Sequence, residues 1–443
     1  MKKWLLLLSM MAIIVVLTAC SSGGSGKTDK VTSKDGKTVL TLSVTESSPF
    51  YQTVEKKFEE KYPDIDLQIN AYKTGEQWEP GEYEKYRNSM NTAMLSGKSM
   101  DIIEVDDLPL KDYVNKGFLL DMNDLLKKDQ TLDNDDLQMN ILDGLKLNDG
   151  MYTIPLGYML RLFVGDGEIL SNANVKLDDK TWNWKEFEKV SKEVIQKKSD
   201  TDQLYALASY PPELLFQEML VENYAAFVDP SAKKATFDSP EFVNLFEQVK
   251  QMYEEKIVTS EEAKPGNQMF NSTSITSPID FIEGPYMLFD QPELLQTPQA
   301  GESGDRKGAR VSTMTQFAIH AKSPVTDEAW KFINFLLSEE VQMLQDRKGF
   351  SMLKSVNEKK IDELHEKVEN GDYKLPNGEM AKVSDEQFTV FKQIVQSADQ
   401  YVDLDAKVLR IAGEESVAFF GGQKTAEEVA KLIQNRVTTY LNE

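Results

Sequence analysis

Three short runs of alternating residues, separated by helix-like segments, constrain this chain more than any other feature. Val39-Leu40-Thr41-Leu42-Ser43-Val44 alternates apolar and polar residues as a half-buried strand does, and Val54, Phe58 and Tyr62 then recur at helical spacing until Pro63. Ile65-Asp66-Leu67-Gln68-Ile69 alternates again, a helical segment carries Tyr83, Tyr86 and Met90, and Asp101-Ile102-Ile103-Glu104-Val105 makes a third strand. Strands interleaved with helices predict an α/β fold on a mostly parallel sheet. Ligands of such sheets bind beyond the carboxyl ends of the strands, which points to the loops 45–51, 72–78 and 106–110. Later helix starts are marked by Ser239 before Pro240, Thr326 before Asp327 and Glu328, Ser384 with Gln387, and Thr425 with Glu428.

The single cysteine, Cys20, ends Leu17-Thr18-Ala19-Cys20, behind Lys2, Lys3 and an uncharged run from Trp4 to Leu17. Those are the parts of an export signal in order, and the run is shorter than the ~20 residues of a membrane-spanning helix. Removal of 1–19 would leave 424 residues with a formal charge of −25, enough chain for two domains and a balance that repels nucleic acid and anionic headgroups. The weakly apolar stretch 20–37 reads as a flexible tether. One cysteine and two histidines, His320 and His365, argue against disulfides and against a thiolate or imidazole metal cage. No cofactor is expected.

The small residues before Cys20 resemble the bacterial lipobox, which implies cleavage after Ala19 and a lipidated Cys20. From Thr38 onward the order of segments resembles the extracellular solute-binding proteins of ABC importers, in the carbohydrate-binding group that includes maltose-binding protein. The resemblance rests on Phe58 to Pro63 between the first strands and on Ser96 to Ile103 with Tyr113, Gly117-Phe118-Leu119 and Asp121. It continues through Gly150 to Pro155, Thr181-Trp182, Phe281 to Met287, Phe317-Ala318-Ile319 with Ala329 to Leu336, and Phe419 to Gln423. It implies a two-lobed periplasmic-binding-protein-like fold of type II, hinge-connected, each lobe a mostly parallel sheet flanked by helices. By position, the N-lobe would take 38–156 and 312–352, and the C-lobe 157–310 and 353–443. The chain departs from relatives at Phe163-Val164-Gly165-Asp166-Gly167, where an aromatic and an asparagine are common.

Motifs for catalysis fare poorly. Gly97-Lys98-Ser99 echoes a P-loop end, but Thr92 stands where its first glycine belongs and the piece precedes a strand. Ser351 to Lys354 and Lys73-Thr74-Gly75 match two motifs of penicillin-recognising enzymes in reversed order, without the third. Carboxylates are plentiful, with 73 Asp and Glu, so sequence adjacency alone identifies no glycosidase pair.

Sugars present hydroxyls and apolar C–H faces, so their sites combine carboxylates or amides with aromatic platforms. The expected contacts on the N-lobe are Glu46, Phe50, Tyr51, Trp78, Asp106 and Asp107; Phe50 and Tyr51 read equally well as packing for the next helix. On the crossing segment they are Tyr158 and Arg161, an arginine in an apolar run that needs an acceptor, ligand or acidic neighbour. Tyr210, before Pro211-Pro212, with Glu283 and Tyr286 around Gly284-Pro285, falls where the resemblance places the C-lobe contacts. Trp182, Trp184 and Trp330 read as structural. The expected protein is a monomeric, non-enzymatic receptor, lipid-anchored on the extracellular face of a Gram-positive type cell membrane. It would pass a small molecule, an oligosaccharide, to ABC permease subunits and bind no nucleic acid. Its rivals are a sensory or adhesive lipoprotein on the same fold and a surface carbohydrate-active enzyme.

Overall fold

The computed structural model describes residues 30–442 except 76, 107, 176, 199–201, 230–231, 301–307, 399 and 402–403. The signal segment and Cys20 therefore lie outside the described residues.

The predicted strand–helix–strand opening is present. β1 (Thr38–Glu46) buries Leu40, Leu42 and Val44 completely. The helix Pro49–Lys61 follows, its first turn closed by Ser48, whose hydroxyl accepts the Tyr51 N–H, and by the preset φ of Pro49. Its buried stripe is Phe50, Tyr51, Val54 and Phe58. β2 (Ile65–Lys73) and β3 (Ile102–Glu104) flank β1 in parallel register, with the helix Glu82–Ser96 between them in sequence.

The rest of the sheet is built around a long strand shared by two halves. β4 (Ile154–Asp166) is almost wholly buried, so its sequence shows no alternation. The small ribbon β5 (Val228–Asp229) and β6 (Lys234–Ala235) stands apart. Along its second half β4 pairs antiparallel with β7 (Phe270–Ile275) and β8 (Pro292–Leu295). From Ile154 to Arg161 it pairs antiparallel with β9 (Arg310–Ile319). β10 (Phe350–Ser351) covers Tyr158 and Gly157, and β11 (Gln400–Tyr401) lies beside the start of β9. The main order is β10-β4-β9-β3-β1-β2. Among the named strands of the described residues, β2-β1-β3 and β9-β11 pair in parallel, and single parallel bridges join Asn183 to Gln299, Tyr205 to Gln268 and Leu207 to Val258. β9 and β4 cross antiparallel from one half to the other.

Two large hydrophobic clusters lie among the described residues. The first joins β1 and β2 to Phe332, Phe335 and neighbours from the helix Thr326–Leu336. It also takes Val356, Ile361, Phe388 and Phe391 from the helices Lys354–Glu369 and Asp385–Ser397. The second gathers Phe163, Trp182, Trp184, Phe187, Phe216 and Phe246 with the C-terminal helices Ala406–Phe420 and Ala426–Asn442. Trp182 and Trp184 are 1% and 3% exposed and Trp330 8%, the structural role expected of them. The predicted helix starts recur: Ser239 accepts from Phe242, Ser384 and Gln387 form a capping box, and Thr425 and Glu428 cap each other. No helix among the described residues is long and apolar enough to cross a membrane.

Candidate functional site

β1 and β2 end side by side, with Glu46 opposite Lys73 in register. Trp78, carried on the loop between Gly75 and Gly81, folds back over these ends. Its indole N–H donates to the exposed Glu46 carboxylate, and its ring stacks on Tyr72 with centroids 6.0 Å apart and planes within 9°. Tyr83 meets the Trp78 ring edge-on at 5.1 Å, and Tyr86 at 6.3 Å. Tyr72 is 41% exposed, so the stack presents an aromatic face to solvent. Lys73 lies 5.7 Å from the Trp78 ring centre, but its ammonium is bound at 2.8 and 2.6 Å by the two oxygens of Glu82.

The end of β3 supplies carboxylates. Glu104 accepts the Tyr51 hydroxyl at 2.9 Å and the Thr45 N–H at 3.3 Å. Asp106 accepts the Gln316 N–H of β9 at 3.0 Å. Burial first, then Glu104 and Asp106, push the Tyr51 phenol well above its ordinary range. Phe50 and Tyr51 are 5% and 9% exposed and in edge contact at 5.5 Å. Of their two readings, packing is the one observed. Asp107 lies outside the described residues.

On the crossing strand, Tyr158 is fully buried. Its hydroxyl donates to the Val395 carbonyl at 3.1 Å and accepts from Gln138 at 3.0 Å, so it is a core residue and does not join the site. Arg161 is half-buried and finds the acidic neighbour: Nε and Nη2 reach Glu218 Oε2 at 3.2 and 2.7 Å, and Nη1 reaches Ser274 at 3.0 Å. Arg310, its cross-strand partner, holds Glu218 Oε1 at 2.5 Å and Glu222 at 2.7 Å. Burial pushes the Glu218 carboxyl up, yet Arg310 and Arg161 outweigh it and hold the group below the usual carboxylate range. Tyr210, behind the left-handed Ser209 (φ 53°), sets its hydroxyl 3.4 Å from both Arg161 and Glu218. It leads into the helix Pro212–Glu222, where Leu214 is 49% exposed. Arg161 and Tyr210 are thus brought together.

Glu283 and Tyr286 are not. Both residues, and Gly284-Pro285 between them, lie within the helix Pro278–Leu288, which begins at the Ser277–Asp280 capping box. Glu283 there accepts the Tyr373 hydroxyl at 2.7 Å, and Tyr286 packs edge-on to Phe281 at 6.3 Å. The residue that does meet Arg161 from this side is Ser274, on β7, which the sequence reading missed. The spacing of Ser272 and Ser274 in a strand of period two, followed by a capping box, was the available signal.

The two halves also touch away from the crossing strands. Arg410 of helix 406–420 lies 3.6 Å from Glu84 of helix 82–96. Arg87 lies near Tyr440, whose hydroxyl donates to Asp405 at 2.9 Å. Elsewhere, His365, Glu369 and Asp385 bring ligand-type atoms within 4.8 Å of one another, with His365 Nε2 3.0 Å from Asp385. They stand on the helices 354–369 and 385–397, not on the strand ends.

A family model described as bacterial extracellular solute-binding protein matches residues 42–343. Solved structures of similar fold include an ABC substrate-binding protein from Listeria monocytogenes in complex with cycloalternan. It is 15% identical over 92% of this chain and 99% of that one, with a TM-score of 0.57. A periplasmic oligogalacturonide binding protein from Yersinia enterocolitica is 17% identical over 91% and 99%, at 0.60. An extracellular solute-binding protein of family 1 from Alicyclobacillus acidocaldarius is 15% identical over 92% and 99%, also at 0.60. The two-lobed fold is common to all three.

Proposed function

The chain belongs to the bacterial extracellular solute-binding proteins, and from that premise we propose that it is a lipid-anchored receptor for an oligosaccharide, which it passes to an ABC-type import permease. The observation that carries the sugar reading is the exposed Tyr72–Trp78 stack beside Glu46, an apolar aromatic face with a carboxylate at its edge. Pyranose rings need both: C–H faces settle on the ring plane and hydroxyls donate to the acid. Cycloalternan and oligogalacturonide in the structural relatives are in keeping with a glycan ligand.

In this reading the N-lobe comprises 38–156 and 312–352 and the C-lobe 157–310 and 353–443. Ligand is gripped between Glu46, Trp78 and Asp106 on one side and Tyr210 with the Arg161 cluster on the other. Full contact requires both walls, so ligand shifts the population toward the closed form. Nothing is turned over. Cys20 carries the lipid, and because one acyl chain binds only marginally, stable anchoring takes more than one.

A thermal-shift screen over mono- and oligosaccharides tests the proposal, since a ligand of the native state raises the melting temperature by mass action. At least one glycan is expected to raise it by several degrees, and Trp78→Ala to weaken that glycan about tenfold, ~1.4 kcal/mol. A screen without any shift would count against the sugar reading.

A further inference from the structure

The helices 354–369 and 385–397 meet with their residues paired in reverse order: Asp362 with Lys392, His365 with Phe388, and His365 again with Asp385. Asp362 and Lys392 make an ion pair, opposite charges facing across the contact. At the other end the charges do not alternate. Glu369, the last residue of its helix, comes up against Asp385, the first of the next. Two carboxylates and the His365 imidazole thus converge, one ligand-type atom from each lying within 4.8 Å of the others. Among the described residues no lysine or arginine is paired with either acid.

The geometry suits a cation in their midst. His365 and Glu369 stand four apart on one helix and so share a face. The imidazole lies on the buried Phe388 ring, centroids 4.2 Å apart and planes at 25°, with Nε2 held 3.0 Å from Asp385 Oδ1. Two ligand atoms of one tetrahedral zinc, at bond lengths of ~2.0–2.1 Å, are about 3.3 Å apart, so a small turn of the exposed Glu369 side chain completes the set. One imidazole nitrogen and two carboxylate oxygens, with the remaining positions left to water, make a donor set for borderline divalent metals. Calcium and magnesium, which take six or more oxygens, find too few here.

We propose that His365, Glu369 and Asp385 bind a divalent transition-metal ion of the zinc type, which fastens helix 354–369 to helix 385–397. Two histidines cannot build an imidazole cage, but one of them between two carboxylates holds an ion that also keeps water. The repulsion of Glu369 and Asp385 becomes a shared attraction to the dication. The site stands away from the Trp78 stack, so it stands or falls independently of the sugar reading. The test is to strip the full chain, detergent-solubilised, with a chelator and titrate it calorimetrically with Zn2+, using Ca2+ and Mg2+ as controls, in enough salt to screen the acidic surface. One zinc per chain, bound in the micromolar range and raising the melting temperature, is expected, without a counterpart from Ca2+ or Mg2+. The Glu369 carboxylate has no other partner among the described residues, so Glu369→Gln should leave the metal-free melting temperature unchanged and weaken zinc by at least about tenfold. His365→Gln should weaken it as much. Zinc held equally well by the wild type and both variants would place the ion elsewhere on the acidic surface and overturn the proposal. An absence of binding, or an equal response to Ca2+, would overturn it too.

Discussion

Glu218 ties two strands and a helix together through one buried charge. Its two oxygens serve different arginines, Arg161 from β4 and Arg310 from β9, so the crossing strands and the helix 212–222 share one charge. Glu218→Gln should lower the denaturant midpoint by the equivalent of about 3–5 kcal/mol, because two guanidinium groups lose a buried partner together. Lys360 makes the opposite case. Burial and the nearby Arg347 pull its ammonium from the usual 10.5 down to about 8. Below pH 8 the lysine is charged in both states and the burial penalty is present in full. Between about pH 8 and 10.5 the unfolded chain binds the extra proton, so stability rises with pH as the penalty is relieved. Lys360→Met should therefore stabilise the protein at pH 7 by ~1–2 kcal/mol, allowing for solvent screening of a partly exposed group, and the gain should shrink above pH 9 in pH-resolved melts. The placement of candidate site residues was legible where local sequence was decisive. Trp78 stands between Gly75 and Pro80-Gly81 and had little reason to be core, and Arg161 in an apolar run had to find an acceptor. Tyr158 was not legible, since a strand buried on both faces gives no alternation to tell which side a tyrosine takes.

At the scale of elements, β1, β2 and the helix 49–61 were readable because each has one buried face and a marked boundary, Ser48-Pro49 at one end and Pro63 at the other. β10 and β11, two residues each, owe their pairing to tertiary contact, and no window of sequence that short carries a period. The β4–β10 contact is close enough to test. A Cβ added at Gly157 would stand 2.6 Å from the Phe350 carbonyl oxygen, a backbone atom that cannot step aside, so Gly157→Ala should cost about 1–3 kcal/mol in chemical denaturation. The contact of helix 82–96 with helix 406–420 makes a prediction of another kind. Exposed ion pairs contribute about 0.2–1 kcal/mol, so Glu84→Arg should weaken ligand binding by no more than about fivefold, through the closed state alone. Glu84→Arg with Arg410→Glu should recover most of that loss in isothermal titration. Equal weakening in the single and double variants would mean that the pair does not favour closure.

The described residues hold two large cores, and β4, with β9 paired along it from Ile154 to Arg161, leads from the first, which takes Leu160 and Leu162, to the second, which takes Phe163. Relative motion must therefore pass through a narrow crossing, and that crossing holds Thr315, a β-branched residue in the left-handed region at φ 54°, beside the Gln316 N–H that reaches Asp106. A β-branched side chain there stores about 1–3 kcal/mol, which makes the segment a natural place for the backbone to change course. Backbone torsions at such a crossing change far more readily than packed interiors deform. The lip contacts at Glu84–Arg410 and Arg87–Tyr440 are individually weak, so the free protein should sample forms in which they are parted, and ligand bound across both walls should remove those forms from the population. A compact body of this length has a radius of gyration of about 22 Å. Small-angle scattering of the free protein should give a value larger than that of the saturated protein, as expected when a hinge equilibrium is drawn to its closed side. Superimposable profiles with and without a saturating glycan would mean that the lobes are already locked, and that affinity is set on the walls and not by closure.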